Sequence, residues 1–443
     1  MYLHGTSRIN RQGHLEIGGC DTVELAKRFG TPLYVMDEEM IRERMRSFVK
    51  ACREQTDFAF RVAYASKAFN TLAMCRVVEE EGLMLDVVSE GELVTALAAG
   101  FPAERIYFHG NNKSKGEIKR AISAGIGWFV VDNFVELELL QQVANSLGQV
   151  ARILLRVSPG IEAHTHSYIQ TGQEDSKFGF DLASGQAFEA ARLSKKMKGV
   201  QFEGLHCHIG SQIFETEAFT LAIGKMARLA EQCEQAGYPI SILNVGGGFG
   251  IRYSADDKPL AVEEVIQAIA ETVKREFRFA AHQPEIWVEP GRAVVGEAGT
   301  TLYTVGTVKK VPGIRKYVAV DGGMTDNLRP ALYQAKYEAL LANRATETET
   351  EVVSIAGKCC ESGDMLIWDI ALPKVKQGDI LAVGCTGAYN YSMASNYNRL
   401  PRPAVIFVNK GEADIVVERE TLEDVIAHDR IPMRLQKQMV SEA

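Results

Sequence analysis

From about residue 60 the chain alternates short runs of β-branched and aromatic residues with longer stretches whose apolar positions recur every three or four residues. The short runs read as strands: 61–65, 85–88, 106–108, 128–131, 152–157, 200–207, 242–245 and 285–288. The clearest helical stretch lines up Phe219, Ala222, Met226, Leu229, Ala230 and Cys233 on one face. Strict alternation of strand and helix implies parallel strands, and eight such units are the count of a closed (β/α)8 barrel of the TIM type. A doubly wound open sheet is the competing layout that this pattern allows. After about residue 300 the rhythm changes to strand-like segments separated by turn residues: TTLYTVGTVKKV, KYVAVDGG, EVVSIAGKCC, DILAVGC and PAVIFVNKG. This predicts a mostly antiparallel β domain. HLEIGG and TPLYVMD near the start are also strand-like and are assigned to it. The expected organisation is therefore α/β, with a barrel over 36–298 and a β domain built from 1–35 and 299–443. No internal repeat or low-complexity linker interrupts it. The run TETETE at 346–351 is either an exposed strand or a solvated loop.

Composition narrows the function classes. A chain of 443 residues exceeds the length prior of roughly 150 residues per domain, so two or three domains, or one barrel with an addition, are expected. Hydrophobic residues make up 46% and charged residues 24%, enough for a large core. Lys plus Arg number 49 against 57 Asp plus Glu, a net charge of −8. That balance argues against nucleic acid or an anionic membrane surface as partner, since both attract a basic field. No apolar run approaches the roughly 20 residues that cross a bilayer, and the start MYLHGTSRINRQGHLEI lacks the apolar stretch of a secretion signal. The eight cysteines are scattered without a C-x-x-C pair, which fits a reduced, cytoplasmic compartment.

In a barrel, chemistry sits at the carboxyl ends of the strands. Lys67 lies two residues past the first strand, in YASKAFN; most lysines are merely surface groups, and one that acts as a nucleophile must be desolvated or placed near other cations. The sixth strand runs into HCHIGSQ, where His206 and His208 share a strand face. A metal site is conceivable there, but no third ligand stands out by spacing, and a packed core histidine is the commoner fate for at least one. Gly210 and Ser211 then offer an amide and a hydroxyl to an anion. The seventh strand ends in NVGGGFG, where Gly246, Gly247 and Gly248 let backbone N–H groups approach a phosphate, although a tight turn explains them equally well. The eighth ends in EPGR: Glu289 is either half of a structural ion pair or a partner for a heteroaromatic nitrogen, and Arg292 suits a carboxylate or phosphate. Together these put an amine, an imidazole, a phosphate cradle and a carboxylate on one rim, the set that pyridoxal phosphate requires.

Ten segments in fixed order extend the pattern along nearly the whole chain: YASKAFN, LDVVSEGEL, HGNNKS, GQEDSKFGF, HCHIGSQ, VGGGFGI, EPGR, DGGMTDNLRPALY, CCESGD and GAYNYSMASNYNRLPRP. On these the chain resembles the alanine-racemase-fold (type III) pyridoxal-phosphate decarboxylases, most closely the bacterial diaminopimelate decarboxylases. The resemblance implies decarboxylation of meso-2,6-diaminopimelate to L-lysine and CO2, the last step of lysine biosynthesis, with pyridoxal 5′-phosphate as cofactor. It implies that Lys67 bonds the cofactor, His208 faces its ring and Asp86 supports the lysine side. Ser211, Gly246 to Gly248 and the EPGR residues Glu289, Pro290, Gly291 and Arg292 would hold the cofactor, with Glu289 on the pyridine nitrogen. From the second domain Arg329, Tyr333, Glu361 and Tyr389 would bind substrate, Arg292 and Tyr389 serving both ligands, and Cys360 would return a proton. No metal is implied. The family's homodimer builds each site from two chains, so Cys360 and Glu361 would enter the partner's barrel. AGKCCESGD departs from the pattern in carrying a second cysteine; aligning on CESGD makes Cys360 the family residue and leaves Cys359 to packing. The alternatives are an ornithine, arginine or carboxynorspermidine-type decarboxylase of the same fold, an amino-acid racemase, which CESGD argues against, and a non-catalytic pyridoxal-phosphate-binding homologue.

Overall fold

The computed structural model describes residues 1–55, 57–161 and 176–436; the first four residues of GQEDSKFGF and the last seven of the chain lie outside them. Eight strands form the barrel: Phe60–Ala65, Met84–Val87, Ile106–Phe108, Trp128–Val131, Ala151–Ser158, Val200–His206, Ile242–Asn244 and Glu285–Val288. Each pairs in parallel with the next, and the eighth pairs with the first through Trp287 and Arg61, so the sheet closes and the open-sheet layout is excluded. One addition went unread: a short strand at Phe180–Asp181 runs parallel to the fifth.

The strands read as continuous apolar runs because they are covered on both faces. Outside, helix Glu217–Gln235 buries Phe219, Ala222, Met226, Leu229, Ala230 and Cys233. Inside, Trp128 and Trp287 meet edge to face at 4.8 Å and pack with Ala63, Met84, Tyr107 and Leu154. This plug fills the barrel interior, as side-chain layers do in such barrels.

The second domain is organised on one long strand, Gly299–Val311, which pairs antiparallel with Leu33–Asp37, Ile380–Val383 and Arg315–Val320. Two of its pairings are parallel: Arg315–Val320 with Thr350–Ala356, and Ala404–Asn409 with Leu33–Asp37. TPLYVMD thus supplies a strand of this sheet, whereas HLEIGG supplies Leu15–Ile17 in a separate three-stranded sheet. TETETE leaves a turn at Thr346, is irregular over 347–349, and enters a strand at Thr350. Two contacts fasten this domain to the barrel mouth. The Tyr389 amide donates to Ala68 O at 2.9 Å, and Ser392 Oγ donates to the same oxygen at 3.1 Å. They hold the Tyr389 loop against the turn that carries Lys67.

Candidate active site

The first barrel strand ends in a single tight turn, Ser66–Ala68. Ser66 is buried and its hydroxyl donates to Asp86 O at 2.5 Å, so the turn is pinned from below and Lys67 is thrust into the mouth. There a cavity of about 210 Å³ is lined by Lys67, His208, Ser211, Gly248, Glu289, Gly291 and Arg292 from the barrel, and by Arg329, Tyr333 and Tyr389 from the second domain. Ten of the residues singled out from sequence therefore converge on one space. Six do not line it. Asp86 lies buried beneath the Lys67 turn, and Pro290 uses its carbonyl to accept from the Ala65 amide at 3.2 Å. Gly246 and Gly247 pack too closely on the Cys207 and Glu289 carbonyls to admit a Cβ, so they shape the loop and leave Gly248 to face the cavity. Cys360 and Glu361 sit on an exposed loop of the second domain, away from this chain's own cavity.

Glu289 is the electrostatic centre. Its Oε1 accepts from Tyr107 Oη at 2.9 Å and from Asn244 Nδ2 at 2.7 Å, and lies 3.0 Å from His109 Nε2. His206 Nε2 is 3.3 Å from Oε2. Burial alone would raise this carboxyl, but the two imidazoles at its oxygens hold it well below the usual carboxylate range. Burial in turn pushes His109 down to about 3 and lowers His206. Burial, then the nearby Glu289 charge, drives the Asp86 carboxyl well up. Burial, with Lys67 adding to it, drives the His208 imidazole well down, and its Nδ1 accepts from the Gly247 amide at 3.3 Å. Two neighbouring carboxyls are thus pushed in opposite directions.

The two arginines stand out by what they lack. Arg292 and Arg329 are 5% and 7% exposed, yet neither pairs with a carboxylate among the described residues. Arg292 donates to Ser211 Oγ at 2.8 Å and to Tyr253 Oη at 2.5 Å, and its Nε is buried without a partner. Arg329 donates to Tyr337 Oη at 3.0 Å, and both guanidinium groups lie over the Tyr389 ring, at 4.8 and 5.7 Å. Two buried, uncompensated cations demand anionic ligands. An amine, a buried carboxylate, a neutral imidazole and a Ser211–Gly248–Arg292 anion cradle fit the aldehyde, ring nitrogen, ring face and phosphate of pyridoxal phosphate.

Sequence reasoning missed Tyr107, His109 and Asn244 as partners of Glu289, and Tyr253 and Tyr337 as partners of the arginines. His109 and Asn244 each follow or end a barrel strand, and that position was the available signal. His206 finds its polar partner in Glu289. With His109 the three offer ligand atoms within 4.8 Å of one another, a grouping that no sequence spacing displays.

Residues 38–296 match the family described as "Pyridoxal-dependent decarboxylase, pyridoxal binding domain". Over 431 residues the chain is 60% identical to the diaminopimelate decarboxylase of Bacillus subtilis (strain 168), covering 97% of this chain and 98% of that one. It is 58% identical over 422 residues to the diaminopimelate decarboxylase of Bacillus methanolicus, covering 95% and 98%. Among solved structures, the diaminopimelate decarboxylase of M. jannaschii in complex with L-lysine superposes with a TM-score of 0.92 at 39% identity, over 97% of this chain and 99% of that one. The chain belongs to the diaminopimelate decarboxylase family of pyridoxal-dependent decarboxylases.

Proposed function

We propose that this chain removes one carboxyl group from meso-2,6-diaminopimelate, releasing CO2 and L-lysine, with pyridoxal 5′-phosphate as its cofactor. The observation that carries the reading is the convergence of Lys67, Glu289, Arg292 and Arg329, from three separate chain segments, on one cavity. The barrel over 36–298 acts as the cofactor domain, and 1–35 with 299–443 as the domain that completes the substrate site.

Bound pyridoxal phosphate supplies an electron-accepting ring beside the carbon that loses its carboxylate. Lys67 presents its amine to the aldehyde. Glu289, held ionised by its four donors, keeps a proton on the pyridine nitrogen and so sustains the ring's appetite for electrons. Ser211 Oγ, the Gly248 backbone and Arg292 would hold the phosphate, and His208 would face the ring. Arg329, aided by Tyr333 and Tyr389, pairs the substrate's distal carboxylate, and Glu361 pairs its distal ammonium. Cys360 returns a proton to the α-carbon. The exposed position of Cys360 and Glu361 on a loop outside their own chain's cavity supports a homodimer whose sites are shared. Ornithine and arginine have no distal carboxylate and would leave Arg329 buried and unpaired, a mismatch costing on the order of several kcal/mol. The described cysteines are all free thiols, which supports a cytoplasmic setting, and no helix is long and apolar enough to cross a membrane.

The test is incubation of the cofactor-loaded protein with meso-diaminopimelate, L-ornithine and L-arginine in parallel. Lysine and CO2 from the first alone support the assignment. CO2 from ornithine or arginine, with none from diaminopimelate, moves the protein to a different substrate.

A further inference from the structure

The loop that carries Cys360 and the loop that leads to Arg329 are one mechanical unit. They leave the carboxyl ends of two neighbouring parallel strands, Thr350–Ala356 and Arg315–Val320. Asp364, 3% exposed, stands between them. Its Oδ1 accepts from the Met324 amide at 2.6 Å and its Oδ2 from the Cys359 amide at 2.7 Å. A third bond ties the loops directly, Lys358 N–H to Gly322 O at 2.9 Å. Gly323 and Gly357 press so closely on the carboxylate that a Cβ on either would run into it. From Met324 the chain passes through Asp326 and Asn327, both 1% exposed, into helix Arg329–Tyr333. On the other side the Cys360 amide donates to Asn398 Oδ1 at 2.8 Å, so the tip is fixed at both shoulders. Neither bond to Asp364 involves substrate, cofactor or the cavity lining.

We propose that Asp364 is a positioning residue that serves two active sites at once. Through Met324 it sets Arg329 in its own chain's cavity, and through Cys359 it sets Cys360 and Glu361 for the partner's. The proposal rests on the shared-site reading above. A carboxylate with one oxygen for each loop couples the placement of a substrate clamp to the placement of a proton donor. A displacement of about 1 Å at either is enough to cost roughly 10²-fold in turnover.

Mixed dimers separate the two effects. The parent pair joins a Cys360→Ala chain to a Lys67→Ala chain, so the only competent site takes Lys67 and Arg329 from the first and Cys360 from the second. Placing Asp364→Asn on the Lys67→Ala chain disturbs only the donated tip: kcat should fall about 10²-fold through the displaced Cys360, with KM rising as well through the displaced Glu361. Placing it on the Cys360→Ala chain disturbs only the Arg329 loop: KM for diaminopimelate should rise about tenfold or more, as loss of a well-placed charge pair predicts. Asn398→Ala and Gly323→Ala repeat the two arms separately should the Asp364→Asn chain fold poorly. Hydrogen exchange on the Asp364→Asn homodimer should speed up at Met324 and Cys359 together. If both arms match the parent pair, or only one departs from it, the dual role is wrong. A parent pair with no activity overturns the shared-site reading instead, and the proposal with it.

Discussion

His109 Nε2 lies 3.0 Å from Glu289 Oε1, joining the end of the third barrel strand to the end of the eighth across 180 residues of sequence. With Tyr107, Asn244 and His206 it surrounds the carboxylate with donors, all of them buried. A charge held this way is preorganised: its donors are already in place and need not reorient toward it.

Glu289→Gln keeps the volume but replaces one acceptor oxygen with a donor amide that faces other donors. Turnover should fall by about 10²–10³-fold, while the phosphate contacts retain the cofactor. Steady-state kinetics together with the bound-cofactor absorbance of the purified variant decide it.

The buried imidazoles give stability a definite pH dependence. His109 is held near 3 by burial against an ordinary value of 6.5, so between those limits the unfolded chain binds a proton that the folded one does not. Its contribution is complete above pH 6.5 and is lost as pH falls toward 3, at up to about 1.4 kcal/mol per pH unit. His206 and His208, also lowered by burial, act in the same direction, and Asp86, raised by burial, acts in the opposite one. Urea midpoints at pH 5 and pH 7 should draw together in His109→Asn relative to the parent chain. An unchanged difference would mean that His109 is charged in the fold.

Arg329 is buried without a carboxylate partner among the described residues. Arg329→Ala should raise KM for diaminopimelate by about 30- to 1,000-fold, the range expected for loss of a buried charge pair. Arg329→Lys should recover only part of it, because one ammonium cannot reproduce a fork that also donates to Tyr337. Initial-rate measurements over substrate concentration decide this.

The barrel was legible in the sequence because its strands are covered on both faces and so read as unbroken apolar runs; every one of the eight falls within a residue of its expected bounds. Single residues at strand ends, Lys67 and Glu289 among them, were legible for the same reason: the strand fixes where the next side chain points. What was not legible is what depends on closure. Tyr107 with His109, His206, and Asn244 reach Glu289 from three places in the chain, and no local spacing brings them together. Tyr253 and Tyr337 escaped notice because tyrosines are common in cores and only the fold sets them against Arg292 and Arg329. Gly246 and Gly247 illustrate the reverse: a glycine run read as a phosphate cradle places only Gly248 at the cavity, the other two being required by close packing.

Lys113, in HGNNKS, holds the loop after the third strand from within. Its buried ammonium donates to Gly110 O at 2.8 Å, Val130 O at 2.9 Å and Glu136 Oε1 at 2.7 Å. Lys113→Ala strands the Glu136 charge and two carbonyls, and should destabilise the fold by about 3–5 kcal/mol. Lys113→Met with Glu136→Gln should recover part of that loss. Thermal melting of the three chains decides it.

The central claim is that Lys67 is the amine that bonds the cofactor. Borohydride reduction of the pyridoxal-phosphate-loaded protein, followed by peptide mass analysis, tests it most directly. The account predicts one cofactor-sized addition per chain, on the peptide containing Lys67, and none in Lys67→Ala. An addition confined to another lysine, or a Lys67→Ala chain labelled as fully as the parent, would contradict it.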